Sequence, residues 1–318
     1  MNHQANEDFI DLGEILRILL SYKKIILCGL IVSGLISIFI AKSSPDIYRS
    51  SALLEPQQDN QTQNSFPSMP SGIGGLASLA GVQLPASSGD RGLYAIEVIK
   101  SKVFLKHLIS IESEMILTSL MAINSYDIST NTIKFDENIY NEDTKKWVRK
   151  IKANQKQIPS YIEAHEYFLS ILEIFQDKKT GYIYIAIDHQ SPVFAQYFLN
   201  LVINEVNELT RAMEMQETSD AIEYLTAKQL ITNVSSVKLS INNIIESQLQ
   251  SQMLSNIREE FLLKTIDPPV VPEIKIGPNR LFICIIGTFF GLIFSIISVL
   301  FFHLSRSNFT KIQDSADT

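Results

Sequence analysis

The sequence predicts an α+β membrane protein: two transmembrane helices flank an extracytoplasmic domain that has an α/β base and one very long projecting helix. Three observations predict it. Apolar segments at 25–41 and 281–304 stand near the two ends, and the second has no charged residue before His303. A run from Val193 to Asp267 contains neither glycine nor proline. Between the first apolar segment and that run, short β-branched or aromatic stretches alternate with amphipathic ones.

Residues 1–24 form the first element, a cytoplasmic amphipathic segment. Glu7 to Arg17 is polar on one face and apolar on the other, as an interfacial helix leading into a span requires. The segment 25–41 is short for a bilayer but is preceded by Leu16, Ile18, Leu19 and Leu20, whereas 281–304 is long enough to cross with some tilt. The mixed-charge start and the missing small-residue cleavage site argue against a cleavable signal peptide. Arg17, Lys23 and Lys24 before the first span favour a cytoplasmic N-terminus. Two spans then return the tail 305–318 to the cytoplasm and leave 42–280 outside. Both cysteines, Cys28 and Cys284, lie in the spans, so the large domain uses no disulfide. From Ser43 to Arg280 there are 21 basic and 28 acidic residues, a balance of −7 that argues against nucleic acid or an anionic lipid surface as partner.

Within the domain, Ile47–Glu55 reads as a strand ended by Pro56, and Gln57–Asp90 as a long polar loop. Gly72-Ile73-Gly74-Gly75 in that loop has the look of a phosphate loop, but no Lys-Ser/Thr follows and no buried strand leads in. Leu93–Ile109 reads as a helix with Ile96, Ile99, Val103, Leu105 and Leu108 on its apolar side. Asn124–Lys156 reads as an exposed hairpin or short-helix excursion, and Ser160–Phe175 as another helix. Lys178–Gly181 turns into the strand Tyr182–Ile187, and Val270–Ile276 is a last strand.

The long helix is expected over about 192–267. Ser191 is a suitable N-cap and Pro192 a suitable first residue, while Asp267 before Pro268 is pushed out of the helical region. Such a helix would reach roughly 110 Å at 1.5 Å per residue. It reads as one helix, or as two nearly collinear ones with a break near Arg211–Glu217. Leu230, Val234, Val237, Ile241 and Ile244 follow the spacing of a coiled-coil seam, and Ile245, Leu249, Met253, Ile257 and Phe261 continue it at every fourth residue. That drifting stripe fits either a helix lying on its own domain or one packed on other copies of itself.

Catalytic signals are thin, and neither a metal site nor a cofactor is expected. His3, His107, His165, His189 and His303 share no ligand spacing, and Asp188-His189 reads as a strand-to-helix cap rather than an acid/base pair. Neither Gly-x-Ser-x-Gly nor Walker A occurs, and the tail after the second span is too short for a kinase domain. The candidate functional residues therefore belong to interfaces. Gly29 with Ser33, and Gly287 with Gly291, place small residues four apart in the two spans. Pro268, Pro269, Pro272 and Pro278 form a stiff junction before the second span. Leu230, Val234, Val237, Ile241, Ile245 and Leu249 form the helix stripe.

Asp11-Leu12 with Leu16-Arg17, Gly75-Leu76-Ala77-Ser78-Leu79-Ala80-Gly81, Thr180-Gly181 through Ile187-Asp188-His189 and Ser191-Pro192, and Ile266-Asp267-Pro268-Pro269 with Pro272-Glu273 and Pro278 resemble the Wzz-type chain-length determinants. These are polysaccharide co-polymerases of the lipopolysaccharide O-antigen pathway. The resemblance implies a bell-shaped homo-oligomer in a bacterial inner membrane, with a periplasmic main domain and no enzymatic activity. It implies control of the number of repeat units added by a separate membrane polymerase, with a lipid-linked glycan as a further candidate partner. The alternatives are a co-polymerase subunit of a capsule or exopolysaccharide export system with a separate tyrosine kinase, and a two-span periplasmic sensor.

Overall fold

The structure is a computed structural model describing residue 17 and residues 20–57, 88–153, 155–257 and 260–314. The expected amphipathic segment before Arg17 and the loop around Gly72–Gly81 lie outside the described residues. The chain divides into two compact units, Ile47–Lys275 and the pair of end segments Met1–Asp46 with Ile276–Thr318.

In the end-segment unit, helix α1 (Lys23–Ser43) packs against the last helix (Arg280–Asp314). The windows Lys23–Ser43 and Arg280–Phe302 have mean hydropathies of 2.4 and 2.6 and are long enough to cross a bilayer. The segment expected at 25–41 lies within the first window, and the one expected at 281–304 overlaps the second and runs two residues past it. The C-terminal helix starts where Asn279 Oδ1 accepts the Phe282 N–H at 3.2 Å, a side-chain cap for an otherwise unpaired donor. Beside it Arg280 Nη2 donates to Asp46 Oδ1 at 2.8 Å.

The larger unit is an antiparallel sheet covered by helices on one face. Strand β1 (Ile47–Pro56) alternates buried and half-buried positions along its whole length, as a strand with one covered face must. Three short helices follow: α2 (Ser88–Lys100), α3 (Lys102–Ile111) and α4 (Ser113–Met121). The single helix expected over 93–109 is thus broken. Ser101 adopts an extended conformation and its hydroxyl caps the Phe104 N–H at 3.1 Å. The restart rotates the apolar face, so Phe104 is fully buried and Val103, expected in the core, is 73% exposed. The excursion is made of hairpins, β2 (Ile123–Asp127) with β3 (Thr132–Phe135) and β4 (Tyr140–Asn141) with β5 (Lys146–Trp147).

Helix α5 (Tyr161–Ile171) begins with a capping box in which Ser160 and Glu163 satisfy each other's backbone N–H groups. It ends four residues before the expected Phe175, because Leu172–Gln176 is strand β6. The next strand, β7 (Ile183–His189), pairs with β6 on one side and β1 on the other. Helix α6 (Pro192–Ile231) starts as expected, with Ser191 Oγ accepting from Phe194 N at 3.2 Å and proline in the first turn. Phe194, Phe198, Leu199, Val202, Ile203 and Val206 bury its first turns in the core, where the Phe198 ring stacks on Phe194 at 5.3 Å and meets Phe168 edge-on at 5.8 Å.

The second half of the run departs from expectation. No break occurs at Arg211–Glu217, and α6 continues to Ile231. Thr232 is extended, Val234 O accepts from Lys238 N at 3.1 Å, and helix α7 (Ser235–Ile257) returns along α6. The return is antiparallel, since Gln229 bonds Asn242 near the tip and Asn207 bonds Leu262 and Leu263 at the root. The long helix expected to Asp267 is therefore a helical hairpin whose longer arm has 40 residues. Beyond it the chain forms strand β8 (Leu263–Asp267), which pairs with β1, and the short strand β9 (Lys275–Gly277). The strand expected over 270–276 is reduced to its last residues. The main path of the sheet runs β6-β7-β1-β8.

Candidate functional site

The small residues of the two apolar helices meet in register. A Cβ added at Gly287 would collide with Ser37, one at Gly291 with Ser33, and one at Gly29 would come to 2.7 Å from Ser295 Oγ. Each step of four residues along α1 is matched by four residues backward along the helix Arg280–Asp314, which we number α8. The backbones therefore approach as closely as glycine and serine permit. The hydroxyls stay satisfied within α1, Ser33 Oγ donating to Leu30 O at 3.0 Å and Ser37 Oγ to Ser33 O at 2.8 Å. In hydrocarbon an unpaired hydroxyl would be costly, so this internal bonding lets serine serve as a packing residue. Ser37 and Ser295 belong to the same seam and escape the sequence reading, although both extend the four-residue spacing.

In the larger unit the stripe residues divide. Ile241 is 9% exposed and Ile245 half-buried, on the face of α7 that lies on α6. Leu230 is 78% exposed at the tip, and Val234, Val237, Ile244 and Leu249 are exposed too. The stripe thus serves two faces, one closing the hairpin and one left open to solvent. Of the junction prolines, Pro268 and Pro269 follow β8, and Pro269 O accepts from Gln196 Nε2 at 3.3 Å, which ties the segment to the first turns of α6. Ser50 Oγ donates to Val270 O at 2.9 Å and holds the next residue to β1. Pro272 lies between β8 and β9, and Pro278 belongs to the other unit.

The root of the hairpin rests on a residue not foreseen. Asn207 is buried on the apolar face of α6, and its Oδ1 accepts from Leu262 N and Leu263 N, both at 2.8 Å. Its Nδ2 donates to Leu263 O at 3.0 Å and to Ile203 O at 3.2 Å. One amide thereby satisfies the backbone at the point where β8 begins, and all of its own capacity is used. The only signal in the sequence is a lone amide among apolar positions.

The Asp188-His189 pair has a structural role. Asp188 takes a two-point contact from Arg49, with Nε–Oδ1 and Nη2–Oδ2 both 2.7 Å, while Arg49 Nη1 also reaches Glu173 at 2.6 Å across the sheet. These carboxylates raise the Arg49 pKa. His189 is buried, accepts the Ser191 N–H on Nδ1 at 3.0 Å and donates from Nε2 to Ser119 O at 3.0 Å. Burial lowers its pKa, so the imidazole is a neutral staple between α4 and the start of α6. His165 likewise bonds Lys100 O at 2.7 Å, and His107 pairs with Glu205 at 2.8 Å. Among the described residues no group of His, Cys, Asp and Glu is placed to hold a metal ion.

What these surfaces offer is contact. Residues 8–111 match the model of the Wzz family, described as chain length determinant protein. The resemblance read from the residues is to this family. A search of curated proteins finds no match. Among solved structures, a full-length bacterial polysaccharide co-polymerase aligns with 94% of this chain and 99% of its own, at 13% identity and a TM-score of 0.38. The Wzz match supports polysaccharide chain-length regulation in general terms, and regulators of that family are generally non-catalytic.

Proposed function

We propose that this chain is a non-enzymatic regulator of O-antigen chain length in lipopolysaccharide biosynthesis, acting as a homo-oligomer beside a separate polymerase in the bacterial inner membrane, with its larger unit in the periplasm. The Wzz match over 8–111 carries the proposal. Two features of the structure support it. The seam through Gly287 and Gly291 suits a two-span anchor, and the exposed stripe Leu230, Val234, Val237 and Leu249 leaves apolar surface for other copies of the chain.

The test is a gel ladder of surface polysaccharide from a strain lacking this gene. Polymer should persist with its preferred length lost. Complete loss of polymer, or a ladder identical to the parent's, would refute the reading.

A further inference from the structure

The charge balance of the extracytoplasmic stretch is an average, and it conceals a local reversal. Residues 145–158 carry six basic residues and no acidic one. The stretch begins at β5, and Arg149 pins the loop beyond that strand. Its Nη1 and Nη2 donate to the Glu163 carboxylate at 2.6 and 3.2 Å, its Nε to Gln157 O at 3.0 Å, and its Nη2 also to Lys156 O at 2.7 Å. Gln157 Nε2 returns a bond to Arg149 O at 3.2 Å. A smaller turn inside the loop is closed from both ends, Gln155 N donating to Lys152 O and Lys152 N to Gln155 Oε1, each at 3.0 Å. With Arg149 committed inward, Lys150, Lys152 and Lys156 are exposed beside Ile151, 50% exposed, and Ile158, 58% exposed. Glu163 holds Arg149, Lys145 at the start of the stretch lies 3.9 Å from Glu114, and Glu142 and Asp143 precede β5 in the β4–β5 turn.

We propose that this pinned loop rests on an anionic lipid surface, its lysines against headgroup phosphates and Ile151 and Ile158 at the acyl boundary. Lysines alone would fit any polyanion. The isoleucines decide between them, because a soluble phosphate or an anionic polymer leaves them in water, whereas a bilayer interface buries them. The chain also brings its own bilayer, through two helices long and apolar enough to cross one. Arg149 already ties the two ends of the loop together through Lys156 and Gln157, which reduces the conformational freedom lost on contact. This inference is independent of length control.

Trp147 is the sole tryptophan of the chain and stands at the root of the loop. The full-length protein is reconstituted into vesicles of phosphatidylglycerol or of phosphatidylcholine, each with brominated acyl chains, and Trp147 fluorescence is measured. Quenching is expected in the anionic vesicles and not in the zwitterionic ones. It should disappear in the triple variant Lys150→Gln, Lys152→Gln, Lys156→Gln, since each lysine on an anionic surface contributes about fivefold, or about a hundredfold for three. Ile151→Ser should weaken it with all lysines in place. Equal quenching in both lipids, no quenching in either, or quenching unchanged in the triple variant would overturn the proposal. So would a fluorescence response to dissolved pyrophosphate without bromolipid quenching, which would mark a soluble phosphate site instead.

Discussion

Two antiparallel helix pairs in this molecule look alike in outline and are built on opposite terms. In α1 with α8 the contact is made by glycine and serine, while Phe39, Phe290 and Phe294 point outward. Acyl chains satisfy such side chains as well as another helix could, so the membrane pair is complete with its large residues exposed. In α6 with α7 the contact uses Ile241 and Ile245, and Leu230, Val237 and Leu249 are left facing water. There, exposed apolar surface costs roughly 25 cal/mol for each Å² that could be buried. An exposed leucine is therefore uninformative in the first pair and a sign of an unfilled contact in the second.

The contrast can be broken at its strongest point first. Asn207→Leu keeps the branching and the number of side-chain heavy atoms but strands the N–H groups of Leu262 and Leu263 and the Leu263 carbonyl at the root of the hairpin. It should lower the unfolding free energy of the larger unit by about 3 kcal/mol, measured by urea denaturation followed by circular dichroism. Gly291→Leu attacks the other pair. Its side chain would be driven into Ser33, and overpacking of about 2 kcal/mol should part α1 from α8. The loss should appear as a lower midpoint of thermal unfolding in detergent for that variant than for the parent, and an unchanged midpoint would remove the small-residue seam as the contact. The smallest effect on folding is expected from Leu230→Ser with Val237→Ser, within about 0.5 kcal/mol because both side chains are solvated. If the stripe serves assembly, this double variant should nevertheless lose mass by light scattering in detergent. An unchanged oligomer would remove the stripe from the interface.

Much of this architecture is legible because it is announced by local chemistry. Ser191-Pro192 starts α6, the run around Ile183–Ile187 is β7, and unbroken apolar stretches mark the spans. The hairpin escapes a reading of the sequence because its turn contains neither glycine nor proline. Thr232 and Asn233 break the helix instead, by offering side-chain bonds that compete with the helical ladder, and Thr232 Oγ1 does bond Lys228 O at 2.7 Å. Strands β6 and β8 read as helix for a related reason: Leu172–Gln176 and Leu263–Asp267 are short, and pairing with β7 and β1 decides their state. Helix α4 escapes notice between two elements that read as adjacent. Of the candidate residues, the small-residue spacing in the spans can be read directly, because close approach in lipid has few chemical solutions. Asn207 cannot, since its partners lie 55 and 56 residues away.

The root at Asn207 is also a fulcrum. From there to Ile231 the longer arm runs about 36 Å at 1.5 Å per residue. A rotation of about 5° at the root would sweep the tip sideways by about 3 Å, the better part of a side chain's width. One amide and the three leucine backbone groups it grips thus act as the bearing of a lever. If copies of the chain assemble through the stripe, tightening or loosening that bearing shifts where Leu230 and Val234 meet the next copy without altering a single atom of the surface that meets it.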